Sequence, residues 1–172
     1  FGIKPLQQLF ARVGYSIVRI ERTDYMGGSL RVYAGSGAKT SQVAEFIDNE
    51  NAAGLYDVAT YRSFMQRVQQ LRINLCRQLF EAKAQGKRIV GIGAATKGNT
   101  LLNYCKIDSG LLDFITDVSE LKTGKYTPGS HILIRHDDDL DGTVDVALIL
   151  PWNIAEFLIE KLKHLHYTFI VP

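Results

Sequence analysis

The sequence predicts an α/β protein whose second half, residues 87–172, is a doubly wound, mostly parallel sheet, preceded by helices and an antiparallel strand pair. Three observations carry this. After residue 87, short and nearly all-apolar segments alternate with helical patterns, as strands buried on both faces do. A glycine-rich stretch follows the first of these segments and opens a helix. Upstream, two alternating segments flank Met26-Gly-Gly28, which reads as an antiparallel pair.

The apolar fraction of 46% and charged fraction of 22% over 172 residues are ordinary globular values, so disordered and fibrous classes are excluded. A net charge of +2 with no basic block argues against nucleic-acid and membrane-surface partners. No apolar run approaches the roughly 20 residues that span a bilayer. Two cysteines, Cys76 and Cys105, suggest a reduced, cytoplasmic protein.

In chain order, Pro5 suits the first turn of a helix in which Leu6, Leu9, Phe10 and Val13 recur at helical spacing, and Gly14 closes it. Strands follow at 16–22 and 29–33. A lone hairpin is marginal in water, so this pair is expected to rest on a larger sheet. With Phe1 in place of Met, the native start is expected upstream. Thr40 or Ser41 caps a helix carrying Val43, Phe46 and Ile47 that ends near Gly54. A longer helix places Phe64, Val68, Leu71, Leu75 and Leu79 on one stripe, which is expected to pack on a core along its length. Strands are then predicted at 88–92, 112–116, 131–134, 144–150 and 167–171. One helix opens in the glycine-rich stretch and runs to about Lys106, and another carries Ile154, Phe157, Leu158, Leu162 and Leu165.

The chemistry is expected at Gly91-Ile-Gly-Ala-Ala-Thr-Lys-Gly-Asn-Thr100. Glycines such as Gly91, Gly93 and Gly98 let a backbone turn tightly and approach a ligand. The unpaired N–H groups and dipole of a helix start favour an anion. Lys97 adds a full charge, and Asn99 and Thr100 add donors. The stretch lacks the full dinucleotide fingerprint and the Gly-Lys-Thr ending of a P-loop, and its structural alternative is a tight strand-to-helix turn. Asp117 ends the second strand, where it is either a ribose-binding acid or a turn carboxylate. Trp152 follows the strongest strand on the same edge, where it either stacks on a base or covers helix packing.

Gly91-Ile-Gly-Ala-Ala-Thr-Lys-Gly-Asn-Thr-Leu-Leu-Asn-Tyr-Cys105 closely resembles the signature of the C-terminal domain of SAM-dependent sugar C-methyltransferases. Gly27-Gly-Ser-Leu-Arg-Val-Tyr33, Lys122-Thr-Gly-Lys-Tyr-Thr-Pro-Gly-Ser-His-Ile132 and Pro151-Trp-Asn153 agree with it in order. The resemblance implies a full-length enzyme that methylates a ring carbon of a nucleotide-linked deoxysugar. A zinc-binding domain and an S-adenosylmethionine (SAM) domain would precede a Rossmann-like domain. Residues 1–38 would then end the methyltransferase domain, 39–86 form a helical connector, and 87–172 bind the nucleotide-sugar. The implied contacts are Gly91, Gly93, Ala94, Lys97, Gly98, Asn99, Thr100, Asp117, Lys122, His131 and Trp152, with Gly28, Ser29 and Arg31 on an active-site rim. SAM, zinc and the catalytic base are expected upstream of Phe1, so this fragment would be inactive alone. Asp117-Val-Ser-Glu-Leu121 departs from the family's Asp-x-Asn-Pro turn.

Other features point less far. Asp137-Asp-Asp-Leu-Asp-Gly142 lacks the closing glutamate of a calcium loop. His164 and His166 have no third zinc ligand nearby. His131 is either a substrate contact or a strand histidine. An NAD- or coenzyme-A-binding oxidoreductase domain and a non-catalytic interaction module are the competing readings. The sugar, the nucleotide base and the oligomeric state stay open.

Overall fold

The computed structural model describes residues 1–172, which form two units, Phe1–Gln66 and Arg67–Pro172. The first contains α1 (Ile3–Ala11), β1 (Ser16–Thr23), β2 (Ser29–Gly35) and α2 (Gln42–Ala52). β1 and β2 pair antiparallel, with a bulge between Ile17 and Arg19 and with Glu21 opposite Arg31. Ile3, Ile17, Ile20 and Val43 are buried together, ringed by Leu6, Phe10, Leu30, Val32, Phe46 and Ile47. One face of the strand pair is thus covered by α1 and α2. Thr40 is the residue that caps α2, its hydroxyl accepting the Gln42 N–H at 3.4 Å, while Ser41 makes no capping bond.

The start of α1 has no capping side chain of its own, because Gly2 stands at the N-cap. Glu50 of α2 supplies the acceptor from a distance, taking the N–H of Ile3 at 2.6 Å and of Lys4 at 3.3 Å. The Tyr56 hydroxyl donates to the same carboxylate. Partial burial pushes the Glu50 pKa up, but the hydrogen bonds from Tyr56, Ile3 and Lys4 outweigh it and the net shift is downward. Burial and the neighbouring Glu50 carboxylate push Tyr56 up to about 12.

α3 (Val58–Ala84) spans the boundary between the units. Only the last part of its apolar stripe is covered. Leu75, Leu79 and Ala82 are buried, whereas Phe64 is 50% and Leu71 37% exposed. This corrects the expectation that the whole stripe packs on a core. The reason is length: 27 residues of helix rise about 40 Å, while a four-residue strand spans only about 13 Å.

The second unit adds β3 (Ile89–Ile92), α4 (Thr96–Cys105), β4 (Ile115–Asp117), β5 (Ile134–His136), β6 (Val146–Ile149), α5 (Ala155–Leu162) and β7 (Thr168–Ile170). Its sheet has the order β5-β4-β3-β6-β7, and every pair is parallel. The fold is the expected Rossmann-like one. Alternate strand residues face opposite layers. Ile89, Val146 and Leu148 meet α4 and the end of α3, while Val90, Ile92, Ala147 and Ile149 meet α5. The strands are shorter than their apolar runs because burial extends past the ladder. The third strand lies at 134–136 rather than 131–134: Thr127 accepts from Ile132 and His131 there, and His131 turns with φ 55°. Ile132 is buried without being in a strand.

Because the folded Glu50 pKa is lowered, its capping contribution is complete above the ordinary carboxylate range and is lost as pH falls through it. Melting of Glu50→Gln should therefore fall below that of the parent at about pH 7, and the gap should narrow as pH falls below the ordinary carboxylate range. A gap that persists in acid would show that the carboxylate charge does not cap α1.

Candidate functional site

The sheet order reverses direction between β3 and β6, so the crevice outside their carboxyl ends is where open α/β sheets bind ligands. Two loops meet there. After β3, Gly93 turns the chain with φ 80°, and a Cβ at this position would lie 2.8 Å from the Pro151 ring. Ala95 then leads into α4 in an extended conformation with no side-chain cap. The first hydrogen bond of the helix runs from the Asn99 N–H to the Ala95 carbonyl, at 3.0 Å. The N–H groups of Thr96, Lys97 and Gly98 precede it, so they are the donors a helix start leaves for an anion. Gly98 lets α4 lie against the end of β6, since a Cβ there would come within 2.6 Å of Leu150 Cβ.

The second loop, Pro151-Trp152-Asn153, follows β6. Lys97 reaches it: its ammonium lies 5.1 Å from the centre of the Trp152 ring and donates to the side-chain amide oxygen of Asn153. Lys97 and Trp152 therefore come together as the motifs imply, and Asn153 joins them. Thr100 is turned back on its own helix, donating to the Thr96 carbonyl at 3.3 Å.

Beside the helix start lies a cavity of about 390 Å³. Ala94, Ala95, Thr96 and Asn99 form one wall and Leu121, Lys122, Lys125 and Tyr126 the other. Leu102, Ile115, Ile134 and Leu150 form its floor. It exists because the link from β4 to β5 contains turns instead of a helix. The Asn99 side-chain oxygen is buried and has no hydrogen-bond partner. Sequence reasoning missed Leu121, Lys125 and Tyr126, although the last two stand inside the Lys122–Ile132 motif.

Asp117 and Lys122 lie at the same edge but engage each other, with Lys122 Nζ 2.8 Å from a carboxylate oxygen of Asp117. His131 is not among the residues that line this cavity. Its loop is held at the other end of α4, where Asn103 donates to the Pro128 carbonyl at 2.9 Å, and its ring stacks on Tyr126 at 5.2 Å. In the first unit, Gly28 and Ser29 line a groove of about 820 Å³ with Arg22, Phe46, Asn49 and Glu50. Arg31 is not among that groove's lining residues. It pairs with Glu21 at 3.7 Å, and Tyr33 donates to the same carboxylate at 3.0 Å.

Cys105 is not set up as a nucleophile. Burial, with the neighbouring Cys76, pushes the Cys105 thiol up to about 11, so it stays protonated at neutral pH. In the acidic loop Asp137 pairs with Lys161 and Asp138 with His136. No three His, Cys, Asp or Glu side chains gather as metal ligands, so the residues of this chain do not fit a zinc site.

Residues 24–172 match the family model of the C-methyltransferase C-terminal domain. The chain is also 34% identical over 180 residues to the C-methyltransferase NovU of Streptomyces niveus. That alignment covers all of this chain and 43% of the relative, so the chain spans less than half of that protein's length.

The contact at Gly98 generates a test. Gly98→Ala should lower the unfolding free energy by about 1–3 kcal/mol, because a methyl group there forces α4 off Leu150. Denaturant unfolding measures it, and an unchanged midpoint would mean that the helix shifts freely.

Proposed function

The chain belongs to the family of C-methyltransferase C-terminal domains, and we propose that it holds the diphosphate of a nucleotide-linked sugar for a SAM-dependent C-methyltransferase. The observation that carries this reading is the uncapped start of α4 at the reversal of strand order, beside a cavity with an apolar floor. In it, the phosphates lie on the N–H groups of Thr96, Lys97 and Gly98. Lys97 adds its charge from the flank, kept in place by Trp152 and Asn153. The nucleoside occupies the adjoining cavity, with Asn99 as its polar contact. About 390 Å³ is within the usual range for a small-ligand pocket. Gly93 shapes the turn, Gly91 lies within β3, where a Cβ would meet Ile115 at 2.8 Å, and Gly28 and Ser29 belong to a groove of their own unit.

SAM, when bound to such an enzyme, supplies the methyl group. In this reading the strand–glycine turn–helix unit serves the nucleotide, and SAM is held elsewhere in the enzyme. The chain supplies binding and orientation, with the base contributed from outside residues 1–172. The family match does not favour an NAD- or coenzyme-A-binding oxidoreductase.

Titration of the protein with uridine and thymidine diphosphate tests the reading. Lys97→Ala should weaken binding by about 1.5–3 kcal/mol, the range of a charge-assisted hydrogen bond, and the loss should shrink with added salt. In the full-length enzyme the same change should raise KM with little effect on kcat, because phosphate contacts are made in ground and transition states alike. Unchanged affinity would place the phosphates elsewhere, and tighter binding of NAD than of either diphosphate would restore the oxidoreductase reading.

Residues 1–172 alone should bind neither SAM nor S-adenosylhomocysteine in calorimetry. Binding at about micromolar Kd, some 8 kcal/mol, would overturn the division of labour.

A further inference from the structure

The resemblance implies Lys122 as a substrate contact, and its surroundings give it a further role. It comes from the turn after β4 and reaches 28 positions back, donating to the carbonyl of Ala94 at 3.1 Å. It also donates to Asp117 at 2.8 Å. The other oxygen of Asp117 accepts the N–H of Ser119 at 2.9 Å. The carboxylate is therefore committed on both oxygens, and its side chain is only 11% exposed. The lysine charge is neutralised where it stands.

The Ala94 carbonyl is the group this arrangement controls. In a trans peptide the C=O and the following N–H point in opposite directions. With the carbonyl held by Lys122, the Ala95 N–H points the other way and donates to the Gly93 carbonyl at 2.7 Å. That peptide is the last before the free N–H groups of Thr96, Lys97 and Gly98. A carbonyl swung toward them would set a negative dipole against an incoming anion.

We propose that Lys122 is a positioning residue: with Asp117 it clamps the Ala94 carbonyl, holding the glycine turn in its anion-accepting form without touching the phosphates. The proposal rests on the phosphate reading above, and Asp117 is then the residue that orients the clamp and not a ribose contact.

The experiment uses the full-length protein and uridine diphosphate, titrated across a salt series. Lys122→Met should weaken binding by roughly tenfold, the loss of one charge-assisted hydrogen bond at second hand. Its salt dependence should match the parent, whereas Lys97→Ala flattens it. Lys122→Arg, which can still donate to both partners, should restore most of the affinity. Asp117→Asn should weaken binding in the parent yet cost nothing more in the Lys122→Met background, because Asp117 acts only through the lysine. Amide exchange at Ala95, followed without ligand, should quicken in Lys122→Met.

Parental affinity in Lys122→Met, or a salt dependence flattened as in Lys97→Ala, would overturn the clamp. So would an added loss from Asp117→Asn in the Lys122→Met background. If the parent binds no diphosphate, the phosphate reading itself fails. Unchanged exchange at Ala95 would then remove the clamp too, while faster exchange would leave Lys122 as the support of this turn alone.

Discussion

The gap between α4 and the end of β6 admits no side chain at residue 98. A Cβ there would sit 2.6 Å from that of Leu150, so only glycine lets the helix lie this close. The close approach has three results. It sets the first turn of α4 over the carboxyl ends of the two central strands. It brings Lys97 within reach of Trp152 and Asn153, 56 positions ahead in the case of Asn153. It also aligns Gly93 under the Pro151 ring, so that both loops at the crevice are packed on each other before any ligand arrives. A change at this contact reaches the first turn of α4 and the core together.

Much of the fold could be read from residues alone, because its signals are local. Glycines after an apolar strand mark the β3–α4 turn, and the run 144–150 contains β6. Where reading failed, an apolar pattern reported burial but not backbone shape. Ile132 is fully buried, yet the Thr127 hydroxyl and carbonyl draw the chain around it into a turn. The α3 stripe is periodic from Phe64 to Leu79, and periodicity carries no information on where the sheet beneath it ends.

The candidate site was readable only in part, for a related reason. Lys97 and Trp152 were recognisable because each stands next to a strand end, and strand ends on one edge must converge. The partners of Lys122 were not, since they depend on a β4–β5 link that contains no helix and folds back over the glycine turn. Glu50 is similar. Its role at the start of α1 joins residues 47 positions apart, and no local pattern announces it. Arg31 and Ser29 lie two residues apart on one strand, yet Ser29 lines a groove whose lining does not include Arg31.

The pairing of β3 with β6 at the centre of the sheet also has a meaning for how the molecule forms. β3, α4 and β4 are neighbours in sequence and can assemble as a local unit. The partner strand at the crevice arrives only after the β5 segment and the acidic loop have been passed. Closing that long connection costs chain entropy before any contact repays it. A polypeptide growing from its amino end therefore carries an incomplete cradle until β6 has emerged and docked. Only then do Pro151 and Trp152 reach the glycine turn. Occupancy of this crevice is thus a report on a finished sheet, and a ligand held there favours the complete fold over every partly assembled form.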